Sequence, residues 1–262
     1  MQAFLVFCYV YAVSNRNRFI LVFYMKRLLL FISCCFFINP LVCQIVPDLD
    51  TEAEEAIVVD SLYREDQFYV GFTYNLILNR PTDVSQSGFS GGFQLGFIRD
   101  MPINKRRNVA FGVGLGYSLN VFNHNLLIDE SEATGKSIFS SLKGIDFNAN
   151  RFATHLFEAP IEFRWRTSVP ESHKFYRIYT GLRIGYMYYF RSRFEDETRE
   201  VKLTNIEELN PWRIGATFTF GWNTFNFHFY YSLNPLFDDS AQIDGEKVNI
   251  NTARVGLMFY IL

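Results

Sequence analysis

Cysteine stops at residue 43. Cys8, Cys34, Cys35 and Cys43 account for all four, so the remainder of the 262-residue chain can hold neither a disulfide nor a cysteine-based zinc site. Charge is scarce and nearly balanced, with Asp, Glu, Lys and Arg at 20% and a formal net charge of −2. That excludes a strongly basic nucleic-acid-binding face and a highly charged disordered chain. Gly112, Gly114 and Gly116 begin a dinucleotide fingerprint, but no glycine stands at the required third spacing and no helix follows. His124, His155, His173 and His228 have no metal-ligand spacing and no obvious Ser or Asp partner. No enzyme activity, metal, cofactor or small-molecule substrate is therefore expected. What the chain has in excess is aromatic: 18% of residues, with 29 Phe and 15 Tyr, far from a typical globular composition.

The N-terminus reads as an export signal. Met25-Lys26-Arg27 is followed by an apolar run from Leu28 to Phe37 and a break at Asn39-Pro40. The run is too short for a spanning helix and matches a secretory signal with cleavage before Gln44. Residues 1–43 are thus assigned as signal peptide, with the true start at Met25 and an upstream start codon accounting for residues 1–24. The rival is a lipoprotein signal acylated at Cys34 or Cys35, but these lie too near the basic end to leave an apolar core. Removing residues 1–43 takes Arg16, Arg18, Lys26 and Arg27 from the 25 basic residues and none from the 27 acids, leaving a formal charge of −6. Residues 44–66 are acidic without a strand pattern and read as a periplasmic leader. Residues 67–262 form the remaining unit, one domain by length.

In that unit the hydrophobic period is 2, and it recurs eight times. Phe225, Phe227, Phe229, Tyr231 and Leu233 alternate with Asn226, His228, Tyr230 and Ser232. Trp212, Ile214, Ala216, Phe218, Phe220 and Trp222 alternate with Arg213, Gly215, Thr217, Thr219 and Gly221. Comparable alternation runs through residues 67–78, 89–97, 111–121, 157–165, 176–190 and 253–262. A soluble sandwich also alternates, but the interior of eight strands could not hold this many Phe, Tyr and Trp. Turned outward to lipid they fit, and Gly, Ser, Thr, Arg and Glu fill a narrow polar lumen. The expected fold is all-β, an eight-stranded antiparallel transmembrane β-barrel of the outer membrane.

Connection lengths agree. The gaps near 79–88, 122–151, 192–210 and 234–250 are long, whereas those near 104–107, 169–174 and 222–225 are shorter. Long outer loops and short periplasmic turns imply that both termini are periplasmic. Trp212 and Trp222 share a face ten residues apart, which projects to roughly 25 Å along a strand tilted by about 40°, the span between two aromatic girdles. Trp165 joins the lower ring.

Charged residues on the polar parity form the first candidate site: Glu158, Glu162, Arg164, Arg166, Arg177, Arg183, Arg191, Arg213 and Arg254. Two readings stay open. Eight strands leave an interior just wide enough for side chains, which favours a packed ion-pair core, whereas seven Arg against two Glu favour an anion-conducting pore. For the packed core, the expected pairs are Glu162 with Arg183, and Glu158 with Arg213 and Arg254. The short basic turn Lys105-Arg106-Arg107 is a candidate periplasmic contact surface, or a charged cap anchoring its hairpin at the interface. The acidic segment from Glu195 to Asn210 reads as a solvated loop or a contact surface.

One stretch carries a family resemblance. Gly88-Phe89-Ser90-Gly91-Gly92-Phe93-Gln94-Leu95-Gly96-Phe97-Ile98-Arg99-Asp100-Met101-Pro102-Ile103-Asn104-Lys105-Arg106-Arg107-Asn108, followed by Gly112-Val113-Gly114-Leu115-Gly116-Tyr117-Ser118-Leu119-Asn120, resembles the PorT family of Bacteroidota outer-membrane barrels. Tyr74-Asn75 and Asn79-Arg80-Pro81 resemble it too, and the likeness runs from about Asp66 to Leu262. It implies a non-catalytic component of the type IX secretion system, involved in gliding motility in gliding species, with outer-membrane lipid and other secretion components as partners. A general porin-like or structural barrel is the alternative.

Overall fold

The structure, a computed structural model, describes residues 66–131, 136–167, 176–223 and 225–261. The signal peptide and all of the acidic leader but Asp66 lie outside these. Among the described residues the strands are β1 (Gln67–Leu78), β2 (Gly91–Pro102), β3 (Val109–Asn123), β4 (Leu126–Glu130), β5 (Ser137–Ser141), β6 (Ala149–Arg166) and β7 (Tyr176–Glu195). They continue with β8 (Glu200–Leu203), β9 (Trp212–Trp222), β10 (Phe225–Ser232), β11 (Gln242–Ile243), β12 (Glu246–Lys247) and β13 (Asn251–Ile261). Eight of them close on themselves in the order β1-β2-β3-β6-β7-β9-β10-β13, every neighbour antiparallel, with β13 returning to β1. Each corresponds to one alternating sequence segment, and the wall is a closed eight-stranded barrel.

The alternation explains the closure and gives the wall its polarity. Along β10, Phe225, Phe227, Phe229 and Tyr231 are exposed while Asn226, His228, Tyr230 and Ser232 are buried, and β9 repeats the rule. Aromatic side chains point out and polar ones in, the reverse of a water-soluble core. Apolar surface has no reason to face water when a hydrocarbon band can cover it, and closure leaves no strand edge unpaired. The outer aromatics also pair across strands: Phe220 lies 5.4 Å from Phe227, and Phe68 5.0 Å from Phe97, centroid to centroid.

The two ends of the barrel differ. At the end where β1 begins and β13 finishes, the strand ends are joined by the shorter connections 103–108, 167–175 and 223–224. Connections 79–90, 124–148, 196–211 and 233–250 crowd the other, and they fold. Strands β4 and β5 form a hairpin, β8 extends the sheet beside the end of β7, and β11 and β12 pair across a two-residue turn. Both turn residues, Asp244 and Gly245, have positive φ (50° and 85°), as the Asp-Gly type I′ hairpin requires.

These loops enclose an apolar cap that sequence periodicity did not reveal. Phe122, Phe152, Leu156, Met187 and Phe190, on the inner face of β3, β6 and β7, pack with Leu126, Ile128, Phe139, Leu236, Phe237 and Ile250 from the loop end. Phe152 anchors it, fully buried, with its ring 4.9 Å from Phe122, 5.5 Å from Phe190 and 4.8 Å from the His124 imidazole. Each such buried side chain stabilises the cap by about 1.5–3 kcal/mol.

One irregularity bends the pattern. His155 pairs with Tyr189 and Leu156 with Met187, so Tyr188 is an extra residue and β7 bulges there. Below the bulge the odd positions Arg177, Tyr179, Arg183 and Met187 are buried; above it the even positions Phe190, Ser192 and Phe194 are. Tyr188 and Tyr189 both face outward, beside Tyr117 and His155.

Candidate functional site

The lumen is organised by two carboxylates, Asp100 and Glu158, each accepting from two arginines on other strands. Near the turn end, Asp100 on β2 accepts hydrogen bonds from Arg164 Nη1 at 2.9 Å and from Arg166 Nη1 and Nη2 at 3.0 and 2.9 Å. All three side chains are fully buried. Arg164 Nη2 also donates to Gln67 on β1, and its guanidinium stacks 4.0 Å from the Tyr179 ring. Higher up, Glu158 on β6 accepts from Arg183 on β7 at 3.1 Å and from Arg254 on β13 at 2.9 Å. Arg183 reaches across to Gln94 on β2, and Arg254 stacks 3.7 Å over Tyr230. Strands on opposite walls are thus linked through the middle.

Alternation permits this arrangement because each of these residues occupies an inward position. Glycine makes room for the platforms: a Cβ on Gly215 would sit 2.1 Å from Cε2 of Tyr230, the ring on which Arg254 lies. Burying an ion pair is costly unless geometry is good and further hydrogen bonds are made. Here Asp100 and Glu158 accept from two guanidinium groups each, and tyrosine faces cover arginine planes.

Eight of the nine expected lumen charges, Glu158, Glu162, Arg164, Arg166, Arg177, Arg183, Arg213 and Arg254, are buried. Arg191 is not. The extra residue at the bulge reverses parity above Tyr188, so Arg191 faces outward. The pairing also needs correction. Arg183 bonds Glu158 rather than Glu162, whose carboxylate lies 3.6 Å from Arg164 Nε. Arg213 donates to the Pro235 carbonyl, while Arg254 does bond Glu158. Asp100 escapes the sequence reading because it lies just past the alternating segment 89–97; extending the inward parity of Gln94, Gly96 and Ile98 by one step reaches it. Between the Glu158 network and the cap lies a cavity of about 20 Å³.

Outside, Trp212 and Trp222 stand exposed at opposite ends of β9, with Trp212 beside Tyr186 and Trp222 opposite Tyr176 and Phe225. Trp165 is level with Ile178 and Phe220, toward the Trp222 end. Lys105 and Arg106 are exposed at the β2–β3 turn, and Arg107 takes a positive φ of 53° there. The acidic segment after β7 is partly structured: Arg193 bridges Glu195 at 2.6 Å and Glu200 at 2.9 Å, and Arg199 reaches Asp129 at 3.1 Å. Among the described residues no cluster of His, Cys, Asp and Glu is placed to hold a metal ion. Thr219 Oγ1 lies 2.7 Å from His228 Nδ1, and Tyr117 Oη 2.6 Å from His155 Nδ1.

A closed antiparallel barrel, aromatic outside and charged within, defines an outer-membrane β-barrel protein. Residues 52–238, well over half of the chain, match the family model for the outer membrane protein beta-barrel domain, and the chain belongs to that family. No curated protein matches it.

Proposed function

We propose that the protein is a non-catalytic, non-conducting outer-membrane barrel that serves type IX secretion through its surfaces, with both termini and the short turns in the periplasm and the long loops outside. The packed lumen carries the first half of this reading. Fully buried Arg164, Arg166, Arg183, Tyr69 and Tyr179 occupy it and the apolar cap covers its loop end, which favours a structural plug over the anion pore. A barrel so filled passes no protein, so a role in export must act through loops, turns or leader. The secretion assignment rests on the resemblance carried by Gly88–Asn108 and Gly112–Asn120.

The contact surface proposed is the turn Lys105-Arg106-Arg107, short and held between β2 and β3, with other secretion components as partners. Deleting the gene should leave cargo bearing type IX signals in the periplasm; normal export would instead favour a general structural barrel. Changing the three basic residues to Ala while assembly stays intact should reproduce the export defect if the turn is the contact. A membrane-impermeant thiol reagent on intact cells should label Lys143→Cys and not Lys105→Cys, and the opposite result would invert the topology. Stable conductance of the purified barrel in planar bilayers would refute the plugged lumen.

A further inference from the structure

We propose that the lumen binds a single halide ion, chloride under ordinary conditions, between Arg213 and Arg254 beneath the apolar cap. The observation behind this is a local imbalance of charge. Near the turn end, Asp100 and Glu162 face Arg164, Arg166 and Arg177. In the upper lumen Glu158 bonds Arg183 and Arg254, whereas Arg213 bonds only a neutral carbonyl, and all three arginines are at least nine-tenths buried. Glu158 is already shared between Arg183 and Arg254. Arginine does not deprotonate in proteins, so the surplus of positive charge cannot be removed by titration. In a low-dielectric interior such a surplus is costly without a counter-charge.

The unspent donors lie beside a cavity. Arg213 uses Nη1 on the Pro235 carbonyl, and its buried Nη2 makes no hydrogen bond to protein among the described residues. The same holds for Arg254 Nε. Both arginines line the cavity of about 20 Å³ together with Glu158, whose carboxylate Arg254 already bonds, and with Asn120, Thr154 and Thr252, while Leu236 lies on its cap side. That volume suits one water or one small ion and is too small for sulfate, phosphate or a carboxylate ligand. Water would satisfy the donors but bring no charge. A monatomic anion supplies both, and its weak hydration tolerates an apolar neighbour.

The test compares urea unfolding of the full barrel in non-ionic detergent, in potassium chloride and in potassium gluconate at equal concentrations. Above the dissociation constant, each tenfold rise in chloride should lower the unfolded fraction about tenfold by mass action, and gluconate should not. Arg213→Gln should abolish the difference between the two salts. If that variant does not fold, crystals of the native chain grown in bromide decide: an anomalous peak within hydrogen-bonding distance of Arg213 Nη2 supports the site. Equal stability in the two salts, or a water molecule with no bromide at that position, overturns it.

Discussion

Replacing Asp100 by Asn changes one oxygen to an amide in a side chain with no exposure, yet it should be among the most damaging substitutions in the barrel. The carboxylate accepts three hydrogen bonds, at 2.9, 3.0 and 2.9 Å, from two guanidinium groups that are themselves fully buried. Volume and rotamer are nearly unchanged, so the loss is electrostatic. Removing one partner of a buried ion pair costs about 3–5 kcal/mol, because the remaining charge is left without compensation. Asp100 compensates two, which places the loss at the upper end of that range. Glu162→Gln provides the comparison: its carboxylate has a 3.6 Å approach to Arg164 Nε, and the effect should be markedly smaller. Asp239→Asn, which breaks an exposed bridge to Lys247, should change nothing measurable. The assay is urea unfolding of each refolded barrel in detergent, followed by the gel shift between folded and unfolded forms. If Asp100→Asn unfolds no more readily than Glu162→Gln, the reasoning that ranks lumen charges by their hydrogen bonds is refuted.

Three further outcomes are expected. Gly215→Ala drives a Cβ to 2.1 Å from the Tyr230 ring and should destabilise by about 1–3 kcal/mol, whereas the same change in a Tyr230→Leu background should cost less; equal costs would show that the ring is not the obstacle. Phe229→Arg, on the outer face opposite Phe218 and Val255, should cost about 2–4 kcal/mol in bilayers, and a neutral result would mean that this face is not in lipid. Burial pushes the pKa of His124 in the loop-end cap down from 6.5 to about 3, so a loosened cap takes up a proton that the folded one refuses. Cap stability should therefore fall as pH drops from 6.5 towards 3, by about 1.4 kcal/mol per unit, read as faster proteolysis of the long loops at pH 5 than at pH 7.5 and absent in His124→Asn.

How far the sequence was legible depends on which period a residue obeys. All eight wall strands follow the two-residue alternation, and Phe225 to Ser232 shows why: each step exchanges lipid for lumen, so one misplaced residue would bury a phenylalanine among charges. Arg191 was misassigned because a bulge adds one residue without altering composition, and Tyr188-Tyr189 looks like any aromatic pair in a belt-rich chain. Asp100 lies beyond Phe97, where the alternation read from the sequence ends, although the strand itself runs on to Pro102. Register was the deeper gap. That Arg183 meets Glu158 depends on how β6 slides against β7, which alternation leaves open in steps of two residues. The cap was hidden for another reason: its loop residues Ile128, Phe139 and Phe237 lie in short stretches with no sustained period, and their burial arises from the closing of four separate loops.

The seam between β1 and β13 joins the first and last strands of the wall, and this sets a timetable for biogenesis. The ion pairs that neutralise the lumen also reach far along the chain: Arg254 and Glu158 are separated by 96 residues, Arg166 and Asp100 by 66, and Arg164 and Asp100 by 64. A partly delivered chain could not satisfy them, and would offer unneutralised guanidinium groups to hydrocarbon if it entered the bilayer strand by strand. Insertion and closure must therefore be concerted, or the nascent sheet must be sheltered until its final strand arrives. A chain stopped before Asn251 would be an insertion-incompetent species with open edges, and so a substrate for periplasmic chaperones and proteases.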